Sequence, residues 1–408
     1  MIKLITKNNE LCVDSGLFED FTPESLLFLG MRTVVRGTKA SHSTSFYHTL
    51  PIEHTNMFPV EVSCNGSHPT YSEVSKIWLA EPLIHALTSD HEEEVNVTVE
   101  RKKEHDKIII LNCLDSCYGH ALDKLFNIQR HLDHHAHLGL VVIIQSSMRN
   151  LVPEGVSEIW ELDTPFKTFE HRIKGFDQLV KTRVLESKEA YLSRADMNLD
   201  YSLLRIPLFV KHNPLRFDKL YEYPARITFI LREDRFWLTN KVNHFLYLVA
   251  RKLGQLSLIK FYFIILQNRN FRKLAKLLVK QYPDLQITAI GIGSPGGMNR
   301  YVQDLREPYQ EYRMHEDERY RLYSESHLIF GVHGSHMILP SALAGAFISL
   351  HQDFKIPHFS EDFIPRHSNP QRQAFLGRFL SDRNSPKAIA SHIKNLFGAL
   401  YSMEKTKF

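Results

Sequence analysis

Residues 327–350 read HLIFGVHGSHMILPSALAGAFISL, and this run limits the possible folds more than any other stretch of the chain. Leu328 to Val332 are apolar enough for a strand covered on both faces, and Gly331 and Gly334 bracket His333 where the backbone must turn. Ser335 is placed to cap the helix that follows. The first N–H groups of that helix would face the turn and offer a partial positive charge to a phosphate. The competing reading is a strand-turn-helix that serves only the core, with His333 and His336 bonded to backbone. A membrane helix is excluded, because His333, Gly334, Ser335, His336 and Pro340 break the run in its middle.

A chain of 408 residues exceeds one ordinary core and predicts two domains. Its 43% hydrophobic and 24% charged residues describe a soluble globular protein. The net charge of +4 is small for this length and leaves no nucleic-acid footprint. Four cysteines, Cys12, Cys64, Cys113 and Cys117, are too few and too irregular for a disulfide framework, which predicts a reducing compartment. The first ten residues lack the apolar stretch of a signal peptide, so the expectation is a cytoplasmic protein whose sequons at Asn65 and Asn96 carry no glycan.

Strand and helix periodicities fall into two halves. In the first, Ile108–Leu111, Leu140–Ile144 and Val156–Leu162 read as strands, with a helix over Tyr118–His131 carried by Leu122, Leu125, Phe126 and Ile128. Pro207, Pro214 and Pro224 interrupt the pattern, which predicts a first domain over 1–210 and a second over 222–385. Residues 386–408 form a final helix packing across the domains. Within the second half, strands are expected at 226–231, 285–290, 328–332 and 347–350, with helices near 240–252, 270–281, 318–324 and 337–344. Leu256–Leu266 is apolar but too short to span a bilayer and contains Lys260, so it is assigned as a buried strand. The β-α-β order predicts α/β domains with parallel sheets.

Four constellations bear on chemistry. Tyr118-Gly-His-Ala-Leu-Asp-Lys124 follows a strand, on the edge where α/β sheets present ligands. There His120 and Asp123 lie three residues apart, so an imidazole and a carboxylate can share a face; the structural alternative is a first-turn acid favoured by the helix dipole. Arg232-Glu-Asp-Arg235 closes the first strand of the second half, and either arginine can neutralise a diphosphate or pair with local acids. Gly291-Ile-Gly-Ser-Pro-Gly296 spells G-x-G-x-x-G, with Gly293 at its centre, but no helix follows to complete a dinucleotide turn. His131-Leu-Asp-His-His-Ala-His137 holds potential ligands without a distant cluster to complete a metal set. Walker-type loops, G-x-S-x-G elbows and H-E-x-x-H helices are absent from the sequence.

Taken together, Tyr118-Gly-His-Ala-Leu-Asp123, the arginines Arg232 and Arg235, and Gly331-Val-His-Gly-Ser-His336 before Gly345-Ala-Phe-Ile-Ser-Leu350 resemble glycosyltransferase family 61 over about residues 108–355. Ser335 stands where that family usually has Ala, and His336-Met-Ile-Leu-Pro departs from its commoner continuation. The resemblance implies a GT-B arrangement, two Rossmann-like domains facing a cleft, with an acceptor side in the first half and a nucleotide-sugar site in the second. It implies inverting transfer from a nucleotide-sugar to the hydroxyl of a glycan or lipid-linked acceptor, as in bacterial surface-polysaccharide synthesis.

On that basis Asp123, aided by His120, is the expected base. Arg232, Arg235, Gly293, His333, Gly334, Ser335 and His336 are the expected donor-binding residues, with no cofactor and no metal. The expected setting is the cytoplasm, with peripheral association at the inner membrane face, and no nucleic acid partner. Two other classes compete: a GT-B-like module that binds nucleotide or glycan without chemistry, and a metal-dependent hydrolase built on the 131–137 histidines.

Overall fold

The computed structural model describes residues 1–7, 9–40, 42, 44–64, 75–166, 172–197, 199–308, 315–353, 356, 364 and 376–405. The chain divides between Asp200 and Tyr201 into two compact units.

The first unit is built on a seven-stranded sheet in the order Glu10–Val13, Ile2–Lys7, Glu189–Leu192, Lys107–Asn112, Gly139–Gln145, Glu158–Leu162 and Val97–Arg101. Its four middle strands are parallel, and the strands flanking them are antiparallel. Gly139–Gln145 is buried along its whole length, as a run covered on both faces must be. Helix Tyr118–His134 sets Ala121, Leu122, Leu125, Phe126 and Ile128 into the core, the face its apolar spacing predicts. Most of residues 1–105, which sequence patterning left unassigned, supply edge strands and a four-stranded antiparallel sheet, Thr22–Phe28, Thr33–Thr38, Ser45–Thr49 and Glu61–Ser63. Leu26, Phe28 and Val35 of that sheet share one core with Ile108, Ile110 and Val141.

The second unit carries a six-stranded, wholly parallel sheet in the order Gln303–Glu307, Gln286–Ile292, Arg226–Arg232, Leu328–Val332, Ala346–His351 and Gly377–Ser381. Numbered along the chain, that is 3-2-1-4-5-6, the order of a doubly wound nucleotide-binding sheet. Its core joins Phe229, Phe330 and Ile348 from the strands to Phe271 and Leu274 of the long helix Leu256–Gln281. The terminal helix Pro386–Lys405 adds Ile389, Ile393, Leu396 and Leu400 to the same core. The proline-bearing stretch 207–224 belongs to this unit: Pro207 sits in the first turn of helix Ile206–Val210, and Leu215 and Leu220 are core residues.

Two expectations need correction. Leu256–Leu266 is not a strand but the first half of the helix Leu256–Gln281. Its apolar residues repeat at helical spacing and turn outward, with Leu258 78% and Phe261 73% exposed, so apolarity there does not report burial. Ser335 does not cap a helix. It opens a short 3-10 turn, Ser335–Met337, whose N-cap is Gly334, and the helix Ile338–Leu343 follows it.

Candidate functional site

In each unit the chain builds strands outward from a first strand and then returns to its other side. In the first unit that reversal lies between Lys107–Asn112 and Glu189–Leu192; in the second it lies between Arg226–Arg232 and Leu328–Val332. Neighbouring connections leave on opposite faces at such a point, which opens a crevice at the carboxyl ends of the strands. The expected site residues fall at these two edges.

At the first edge the organising group is one the sequence reading did not select, Lys124. Its side chain is fully buried, and Nζ sits 2.9 Å from Glu53 Oε2 and 3.0 Å from Asp115 Oδ2 while donating to the Leu114 carbonyl at 2.8 Å. All three ammonium donors are thereby used. Burial opposes ionisation of Asp115, yet Lys124 and the hydrogen bond from His120 outweigh it and hold that carboxyl well below the usual range. Burial pushes Glu53 up despite its contact with Lys124. Lys124 stays charged against the cost of burial because these two carboxyls face it.

His120 Nδ1 lies 3.4 Å from Asp115 Oδ1, and its ring packs edge-on against His54 with centroids 4.6 Å apart. Burial alone would depress the imidazole, but the bond and charge of Asp115 hold it above its ordinary value. The ordered imidazole–carboxylate pair is therefore His120–Asp115. Asp123, one turn further along the helix and half-buried, adds a weaker negative field at His120. Asp115 was missed because it sits in the strand-end loop, and its own backbone oxygen is fixed by Gln145 at 2.5 Å.

Of the 131–137 histidines, His131 is held in the core of the first unit. His131 Nε2 is 2.8 Å from Ser193 Oγ, and burial followed by the neighbouring His135 pushes its imidazole down to about 3. Among the described residues no group of three or more His, Cys, Asp or Glu is arranged to hold a metal ion.

At the second edge Arg235 Nη1 donates to the His333 carbonyl at 2.6 Å, tying the two switch-point strands together. Gly334 adopts φ +151°, and a Cβ at that position would overlap the Arg235 guanidinium, so only glycine lets the arginine lie across the turn. Arg232 takes the local option: its Nε and Nη2 donate to Asp234 at 2.7 and 2.8 Å. The His333 ring stacks on His351 at 3.6 Å, with Nδ1 3.4 Å from Ser349 Oγ. Both ring nitrogens of His336 are buried, facing the Val332 backbone and with no side-chain partner among the described residues. Burial first, then the charges of Arg232, Arg235 and His333, push that imidazole well below its ordinary value.

The glycine loop is already satisfied internally. Gly293 N–H donates to the Glu307 carbonyl at 2.9 Å, Ser294 N–H to Glu233 at 3.0 Å and Gly296 N–H to Asp304 at 2.8 Å. Gly293 thus lies on the correct edge, but its amide points into the sheet.

Two further groups at this edge escaped the sequence reading. Asp382, directly after the last strand, is fully buried with neither carboxyl oxygen hydrogen-bonded among the described residues. His244 Nε2 stands 3.8 Å from it. Burial, reinforced by Asp353 and opposed by Arg383, raises the Asp382 carboxyl to about 7. No periodic signal distinguishes either residue from an ordinary surface polar group.

No protein-family model and no curated protein matches this sequence. Among solved structures the chain is similar to the ADP-heptose lps heptosyltransferase II of E. coli, at 12% identity over 74% of this chain and 100% of that one, with a TM-score of 0.40. It is also similar to the E. coli heptosyltransferase WaaC with ADP, at 11% identity over 72% of this chain and 99% of that one, with a TM-score of 0.39.

Proposed function

We propose that this chain is a glycosyltransferase of GT-B type that moves a sugar from a nucleotide-sugar donor to a hydroxyl of a glycan or lipid-linked acceptor. The donor diphosphate is assigned to the carboxyl edge of the second unit. The observation that carries this reading is His336, an imidazole buried beside Arg232, Arg235 and His333 at the strand-order reversal, with the Val332 backbone facing it and no side chain among the described residues bonded to either nitrogen. A buried polar group short of hydrogen-bond partners costs about 1–3 kcal/mol, and the arginines beside this one keep it neutral. An anion bound there accepts the hydrogen bond that the imidazole N–H can give and offsets the positive field of the arginines. The resemblance of Gly331–His336 to the late turn of glycosyltransferase family 61 supports the same assignment.

In this scheme the acceptor hydroxyl gives its proton to a general base. The oxygen then attacks the anomeric carbon opposite the diphosphate, the carbon–oxygen bond to phosphate breaks, and configuration inverts. Among the groups of the first unit His120 has the chemistry of such a base: Asp115 makes it more basic and would balance the imidazolium, with Asp123 as the second carboxylate in its field. Negative charge developing on the departing diphosphate is stabilised by Arg235, His333 and His336, so the scheme needs no metal. Asp382 and His244 offer a carboxyl and an imidazole to hydroxyls of the donor.

Thermal unfolding measured with a series of nucleoside diphosphates and their sugars tests the donor site. A ligand at 100 times its dissociation constant stabilises the chain by about 2.7 kcal/mol, and Arg235→Ala removes most of that gain. A wild-type chain that shifts with none of them sinks the reading.

A further inference from the structure

Between Asn240 and Gln281 the sequence carries nine Lys and Arg and no Asp or Glu, although the whole chain is nearly balanced at 50 basic and 46 acidic residues. This stretch folds as two helices, Lys241–Lys252 and Leu256–Gln281. Phe263 packs against Phe236 and Tyr247, and Tyr262 Oη donates to Asn243 Oδ1 at 2.9 Å, which fixes the hairpin. The side turned away from that small core is apolar. Of the 23 large hydrophobic side chains exposed among the described residues, eleven lie between Val242 and Ile265. Soluble surfaces scatter such residues singly; a concentration of this kind marks a surface that meets something apolar.

The long helix shows what that is. Its exposed face continues as one stripe at helical spacing from end to end. In the first half the stripe is Leu258, Phe261, Tyr262 and Ile265; in the second half it is Arg269, Arg272, Lys273, Lys276 and Lys280. One helix face therefore passes from apolar and aromatic to mainly cationic, with Leu277 the one exposed large apolar side chain in the second half and no carboxylate along it. A second protein surface would have to match both halves in sequence, whereas a bilayer with anionic headgroups matches them by its own layering. Apolar and aromatic side chains enter the boundary between headgroups and acyl chains, and lysines and arginines reach the phosphates. No helix among the described residues is long and apolar enough to cross a membrane, so the contact is peripheral.

We infer that the helical hairpin 241–280 docks the chain onto an anionic lipid bilayer, with Phe245, Leu258 and Phe261 entering the interface and the Arg269–Lys280 stripe lying on the headgroups. The docked hairpin also adjoins the candidate donor edge, since Lys260 Nζ is 3.6 Å from Glu233 in the strand-end loop. On the transferase reading, and only there, docking sets that edge close to a lipid-linked acceptor.

Co-sedimentation of the full chain with vesicles decides the matter. Binding is expected to phosphatidylcholine vesicles containing phosphatidylglycerol, weakening as salt is raised, and to be at least about tenfold weaker to phosphatidylcholine alone. The paired changes Leu258→Ser with Phe261→Ser, and Arg272→Glu with Lys276→Glu, each lower binding to the anionic vesicles by about tenfold or more. These side chains are exposed, so both variants keep the wild-type melting temperature and the wild-type nucleotide shift. Loss of lipid binding is thereby separated from loss of the donor site. Absence of binding to anionic vesicles, or equal binding to both kinds, overturns the inference. So does a concentration-dependent dimer that Phe261→Ser abolishes while vesicles have no effect, which would assign the face to a second copy of the chain.

Discussion

Replacing Lys124 by Met is expected to destabilise the first unit by about 3–5 kcal/mol, enough to lower its melting transition by roughly 10 °C or more. The size of the effect comes from what is left behind. Methionine fills nearly the same volume, so little packing is lost, but Asp115 and Glu53 remain within 3.0 and 2.9 Å of the vacated ammonium position. Asp115 is held ionised mainly by Lys124, and Glu53 is already pushed upward by burial. Without the cation one or both must take up a proton or draw in water. A triple variant, Lys124→Met with Asp115→Asn and Glu53→Gln, recovers much of the loss, because a neutral set needs no buried counter-charge. Calorimetry resolving the transitions of the two units gives the test, and a loss below about 1 kcal/mol in the single variant means that the buried triad is not charged as described.

The same triad shows what could and could not be seen in the chain beforehand. Strands 107–112, 139–145 and 328–332 were legible because each is a short apolar run bounded by polar turns, buried on both faces as such runs must be. Strand Gln303–Glu307 was not, since its residues are mostly polar and Asp304 and Arg306 pair with each other along the edge. The long helix was half-legible: residues 270–281 bury one face in the ordinary way, while 256–266 turns its apolar face outward, and apolarity alone does not say which side is wet. At the site, the arginine and histidine turns were legible as motifs at strand ends. Their convergence was not, because it depends on the 3-2-1-4-5-6 order, which places strands 1 and 4 side by side and which no local pattern encodes. The carboxylate that orders His120 was not legible. Spacing along the helix suggested Asp123, whereas the imidazole turns back to Asp115 in the preceding loop, and the cation fixing Asp115 also contacts Glu53, far away in the chain.

Asp382 carries the opposite expectation, a gain of stability on removing a charge. Its carboxyl rises from an ordinary 3.8 to about 7, through burial first and then the negative field of Asp353, with no hydrogen bond to either oxygen among the described residues. The folded chain therefore binds the Asp382 proton more tightly than the unfolded chain does. This contribution to stability is complete below pH 3.8, is lost as pH rises toward 7, and stays lost above it. Asparagine mimics the protonated form and does not titrate. Asp382→Asn should match the wild type near pH 4 and exceed it above pH 7 by as much as about 4 kcal/mol, the equivalent of the full shift. Urea unfolding of both proteins across this range measures the gap, and equal stability at pH 8 refutes the assigned ionisation. Among the described residues neither carboxyl oxygen of Asp382 has a hydrogen-bond partner, and the His244 imidazole stands 3.8 Å away. Donor hydroxyls are the partner the transferase reading offers, so the stabilised Asp382→Asn protein is expected to give a smaller thermal shift with a nucleotide-sugar than the wild type.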